Sequence, residues 1–169
     1  MKHTKKIAFS AILAALAVVF LYAGALLDVM DLSAAGAASL CVMLVLYELG
    51  TRYAVLTYAA VGLLSLLILP QKTGSILFIG FLGFYPIAKM QIEKRLSRPF
   101  RTVAKFLLLN VCTVVLIFVI EALTAADTWW FRLLLLVMSN VVFAVYDYAL
   151  TVLLRAYVYK WRKKFKIKF

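Results

Sequence analysis

Polar positions in this chain are few and clustered, and between the clusters lie six apolar stretches. They run from Ile7 to Leu27, Leu32 to Glu48, Tyr53 to Leu69, Ser75 to Met90, Thr102 to Leu123 and Phe131 to Tyr157. About 20 apolar residues cross the ~30 Å hydrocarbon layer of a bilayer as a helix, so each stretch reads as a transmembrane helix, the second to fourth being short. The punctuation agrees. Asp28 and Asp31 mark a tight acidic turn, Gly50 and Arg52 a second, and Pro70 stops the third stretch ahead of Gln71, Lys72, Thr73 and Gly74. The segment TAADTWW joins the last two stretches. Only Gly80 to Asn110 offers a long polar connection, a hinge carrying Lys89, Lys94, Arg95, Arg98, Arg101 and Lys105 against the single acid Glu93. Pro99 disfavours one continuous helix through it, which predicts two helices.

Composition turns this pattern into a class. The chain has 169 residues, 66% of them hydrophobic, a mean hydropathy of +1.02 and a net charge of +12, more apolar than a water-soluble core of this size requires. The expectation is an all-α integral membrane protein, a compact bundle of six transmembrane helices forming a single domain over residues 1–169. The first stretch follows Lys2, Lys5 and Lys6 in the manner of a signal peptide, but it is long for one and five more follow, so it reads as a retained span. Cys41 and Cys112 lie in separate apolar stretches and read as small buried hydrophobes. The only histidine, His3, sits in the N-terminal tail.

Charge orients the spans. With both termini cytoplasmic, all of the 19 Lys and Arg except Lys72 and Arg132 fall on the inner side, as the positive-inside rule demands. Asp28, Asp31, Glu121 and Asp127 fall outside. Trp129, Trp130 and Trp161 fit aromatic anchors at the two membrane surfaces. The tail KWRKKFKIKF extends the last helix with cations and interleaved Phe and Ile. Beside a span this pattern suits anionic lipid headgroups rather than nucleic acid.

Three groups of residues are candidates for function. Ala8, Ala11 and Ala15 form a small-residue stripe on the first span, extended by Ala14 and Ala17, and Ala34 and Ala38 repeat the feature on the second. Small residues at such spacing let helices approach closely, either inside the chain's own bundle or against a partner. Toward the cytoplasmic end, Tyr85, Lys89, Asn110, Asn140 and Asp147 form a polar cluster in which Lys89 or Arg52 is expected to pair Asp147. Such a cluster serves to lock helix register or to receive a substrate. Toward the outer end, Gln71, Lys72, Glu121, Asp127, Trp129 and Trp130, with Asp28, Asp31 and Arg132 nearby, form the expected mouth for a small polar ligand. The sequence lacks a phosphate-binding GxxxxGK[ST] loop and an HExxH motif, and one terminal His assembles neither a triad nor a zinc site. No catalytic residue, metal or cofactor is therefore expected.

Six short spans with cytoplasmic ends, a basic N-terminus running into KIAFSAILAALAVVF at residues 6–20, and a basic hinge between spans four and five resemble the substrate-binding S component of energy-coupling factor (ECF) vitamin transporters. The resemblance implies a bacterial cell-membrane protein that captures a vitamin or related micronutrient at the outer face. It further implies docking on a membrane-embedded T component driven by two ATPases, with Ala11 and Ala15 matching the family's AxxxA docking positions. In size and span number the chain is also similar to the MreD-type rod-shape proteins, which are membrane scaffolds and not transporters.

Overall fold

Six apolar stretches without strand punctuation predict helices throughout, and the computed structural model is all-helical over the residues it describes: 3–27, 30–95, 97–124 and 129–161. Among these, the side chains of 3, 98, 99, 116–124, 129, 131, 132, 135, 160 and 161 fall outside the description. The helices are α1 (His3–Leu27), α2 (Asp31–Leu49), α3 (Thr51–Ile68), α4 (Thr73–Leu77), α5 (Tyr85–Arg95), α6 (Arg98–Thr124) and α7 (Trp129–Ala156). A π-helical turn, Phe78–Leu82, follows α4, and another, Tyr157–Trp161, follows α7. Packing divides the described residues into two units, one up to Gln91 and one from Ile92 onward.

Five helical segments among the described residues are long and apolar enough to cross a membrane: Thr4–Leu27, Asp31–Leu49, Thr51–Ile68, Thr73–Arg95 and Leu136–Tyr159. The remaining expected span, Thr102 to Leu123, is helical throughout as part of α6, whose opening turns carry Arg98, Arg101 and Lys105. The hinge divides as Pro99 predicts. Helix α5 ends at Arg95, and Pro99 falls in the first turn of α6, where its missing N–H costs no hydrogen bond.

In the first unit α1 packs on α2 and α3, and α2 on α3 and α4. Large apolar side chains point outward: Ile12, Leu56, Leu63 and Leu67 are all at least 65% exposed, which suits lipid and not water. Small and polar residues are buried between the helices beside larger ones such as Leu21 and Phe78, among them Ala17, Ala35, Ala38, Ala54, Ser39, Thr57 and Ser65. This is the arrangement expected where lipid removes the hydrophobic drive and close packing holds helices together. The buried hydroxyls bond back to their own helices, Ser39 to Gly36 O at 2.6 Å, Thr57 to Tyr53 O at 2.8 Å and Ser65 to Gly62 O at 2.9 Å. Helices α1 and α2 approach so closely that a Cβ on Gly24 would stand 2.3 Å from that of Ala34.

Connections follow from local chemistry. Gly50 alone links α2 to α3 with φ +91°, a conformation an L side chain rarely adopts. Leu69 turns extended (φ −74°, ψ 134°) because it precedes Pro70, and α3 stops there. The α3 terminus is closed by Lys72, whose Nζ donates to Leu66 O and Leu69 O, both at 2.5 Å.

The fourth span departs from the continuous helix expected over Ser75 to Met90. Pro86 provides no N–H for the carbonyl of Leu82, and the chain answers with the π turn and a bend at Gly83 and Phe84 before α5 begins. The buried ring of Phe78 lies so close to Gly83 that a Cβ there would be 2.7 Å from its Cζ. The hydroxyl of Tyr58 donates to Ile79 O at 2.7 Å, holding one carbonyl of the π turn.

Candidate functional site

In the second unit, α6 and α7 run antiparallel, and their polar residues meet in pairs. Asn110 Nδ2 donates to Asn140 Oδ1 at 3.2 Å and Asn140 Nδ2 returns a bond to Asn110 Oδ1 at 3.0 Å. Each amide also donates within its own helix, to Phe106 O at 2.8 Å and Leu136 O at 2.7 Å. Toward the beginning of α6 and the end of α7, the Lys105 ammonium meets Glu93 Oε1 at 2.7 Å and both carboxylate oxygens of Asp147, at 3.3 and 3.4 Å. Phe106 and Phe143 close the gap between the two polar layers edge to face at 5.3 Å. Asn110 lies beyond Lys105 along α6 and Asn140 lies before Asp147 along α7, so one antiparallel register serves both pairs.

Lys105 is thus a cation on Asp147 that was not expected beside Lys89 and Arg52. Lys105 belongs to the hinge by its charge, yet α6 starts at Arg98, which places Lys105 two turns inside the helix and opposite Asp147. Its side chain is only 12% exposed, against 26% for Asp147 and 41% for Glu93.

Of the other residues expected in this cluster, Tyr85 and Lys89 lie one turn apart on α5, within the first unit, and both are buried. The Lys89 ammonium stands 6.0 Å from the centre of the Tyr85 ring, at the limit of a cation–π contact. Tyr85 in turn stacks on Phe81 at 5.2 Å.

The expected ligand mouth is represented by fewer residues. Gln71 and Lys72 are exposed in the connection before α4, where the Lys72 ammonium is engaged by the end of α3. Trp130 is 65% exposed in the first turn of α7. Glu121, Trp129 and Arg132 lie on helical backbone with side chains outside the described residues, and Asp28, Asp127 and residues 162–169 of the tail lie outside them altogether.

The small-residue stripe of α1 separates into two. Ala14 and Ala17 are buried with Leu13 and Leu21 against the rest of the unit, whereas Ala8, Ala11 and Ala15 are exposed. At about 100° per residue Ala8 and Ala15 fall roughly opposite Ala17, with Ala11 on the flank between them and Ala14. The cysteines are free thiols, Cys41 buried and Cys112 half-buried. The described residues hold no cluster of three or more His, Cys, Asp or Glu placed to bind a metal ion.

One pairing escaped sequence reasoning. Asp31, the first residue of α2, is buried beside Gly74, and a Cβ on Gly74 would stand 3.2 Å from its Oδ1. That oxygen and the hydroxyl of the adjacent Ser75 are both buried without a hydrogen-bond partner. Only the return of the fourth span past the start of α2 brings Gly74 against Asp31. No protein-family model, curated protein or solved structure matches the chain.

Proposed function

We propose that the chain is a multi-pass membrane protein with six spans and cytoplasmic termini. It works as the substrate-binding subunit of an energy-coupling factor type importer, taking a vitamin-like solute from the outer face and docking on a T component with two ATPases. The observation that carries this reading is the double face of α1. A helix that packs in its own unit through Ala14 and Ala17 presents a second set of small residues, Ala8, Ala11 and Ala15, on its exposed surface. Large side chains would serve lipid equally well, whereas alanines permit another helix to approach closely. The concentration of Lys and Arg in the hinge and both tails supports the orientation.

The test is gentle affinity purification from native membranes, followed by mass spectrometry of the retained proteins and small molecules. The reading expects a T component with two ATPases, and a retained vitamin names the substrate. Recovery of cell-wall synthesis proteins without ATPases or solute replaces it with a scaffold of the MreD type.

A further inference from the structure

Asp31 and Ser75 present a chemical problem that the rest of the unit avoids. The buried hydroxyls of Ser39, Thr57 and Ser65 each donate to a backbone carbonyl. Ser75, fully buried, has no hydrogen bond through Oγ, and neither does Oδ1 of Asp31, which lies against the preceding Gly74 and whose residue is 9% exposed. Burying a polar atom unpaired is costly, and more so on a carboxylate. Asp31 opens α2, yet it is not acting there as a cap through this oxygen. The capping position belongs to Met30, and no side-chain bond closes the helix start. Lys72, two residues before Gly74, is committed to Leu66 O and Leu69 O and forms no ion pair with Asp31.

The geometry points to Asp31 and Ser75 as an occluded binding site for a small monovalent cation, an alkali ion or a simple ammonium group. Two oxygens, one of them anionic, supply what a hard cation or an N–H donor seeks, and a single carboxylate balances a single positive charge. Gly74 is part of the design because a side chain there would crowd Oδ1. Both atoms are closed off, so a cation reaches them when the short helical segment 73–82 swings away from α2. The π turn and the bend at Gly83 supply a pivot for that movement at the far end of the segment. The site does not depend on the partners of the importer reading, and either reading can fail alone.

The experiment uses the full chain in lipid nanodiscs, with thermal unfolding followed while sodium, potassium or methylammonium chloride replaces N-methyl-D-glucamine chloride at constant ionic strength. At least one of the three cations raises Tm saturably, and the one that does so identifies an alkali ion or an ammonium group as the occupant. Asp31→Asn raises Tm in N-methyl-D-glucamine, because it removes an uncompensated charge, and abolishes the cation response. Ser75→Ala raises the half-saturating concentration by about tenfold, the effect of losing one bond to a charged group, and Gly74→Ala raises it by crowding Oδ1. The proposal is overturned if no cation exceeds N-methyl-D-glucamine, or if Asp31→Asn responds as the unmodified protein does. Should Asp31→Asn fail to fold, an unchanged half-saturation in Ser75→Ala overturns it as well.

Discussion

Asn110 and Asn140 exchange two amide hydrogen bonds across α6 and α7 while each also donates to its own helix. Every N–H of the pair is thereby engaged, and sliding either helix by one residue breaks both cross-helix bonds. Bonds of this kind in a membrane are worth about 0.6 kcal/mol on average and up to about 2 kcal/mol. We expect Asn110→Leu or Asn140→Leu alone to cost roughly 1 kcal/mol, and the double substitution to cost less than the sum. A double-mutant cycle of unfolding free energies in detergent checks this, and strict additivity would show that the two amides act separately.

Lys105 joins two carboxylates of unequal exposure, which ranks three substitutions. Lys105→Met removes the ammonium that meets both Glu93 and Asp147 and should cost roughly 1–2 kcal/mol, below the ~3–5 kcal/mol of a fully buried broken pair. Asp147→Asn should cost less, and Glu93→Gln, at a site 41% exposed, about 0–1 kcal/mol. Melting temperatures at low and high salt test the order, with the Glu93 contribution fading most in salt. A Glu93→Gln effect as large as that of Lys105→Met refutes the ranking.

Much of this was legible in the chain. The ends of α2 and α3 fall within two residues of the expected Leu32 to Glu48 and Tyr53 to Leu69, because Gly50 and Pro70 act locally and announce themselves in the sequence. Asn110 and Asn140 were expected in one polar cluster for a similar reason: amides are rare in apolar runs. The contact of Lys105 with Asp147 was not legible, since a cation's place in a hinge or in a helix depends on where the helix begins. The break in the fourth span was equally hidden. Pro86 signals a lost hydrogen bond, but the choice of a π turn depends on Phe78 and Tyr58 packing around it.

At Gly83 the sign of a substitution distinguishes a bend from an ordinary helix. In a helix interior Gly→Ala gains about 1 kcal/mol. Here the added methyl would stand 2.7 Å from the fully buried ring of Phe78, so Gly83→Ala should destabilise by about 1–3 kcal/mol. Thermal unfolding checks it, and a stabilised variant contradicts the bend.

The two sides of α1 should respond oppositely to bulk. Ala17→Trp places an indole at a fully buried position and should prevent stable folding, whereas Ala11→Trp and Ala15→Trp alter exposed positions and should leave Tm within about 0.5 kcal/mol of stability. If the exposed face docks a partner, the latter two lose co-purifying proteins while keeping ligand binding. Unchanged co-purification removes α1 from the interface.

The one-residue link at Gly50 has a mechanical meaning. Two Cα–Cα steps reach at most about 7 Å, little more than one helical turn, so α2 cannot slide or rotate appreciably without carrying α3 along. The start of α3 is therefore tethered to the end of α2, and the fourth span, interrupted by its π turn, packs through Gly74 against the first residue of that tethered pair.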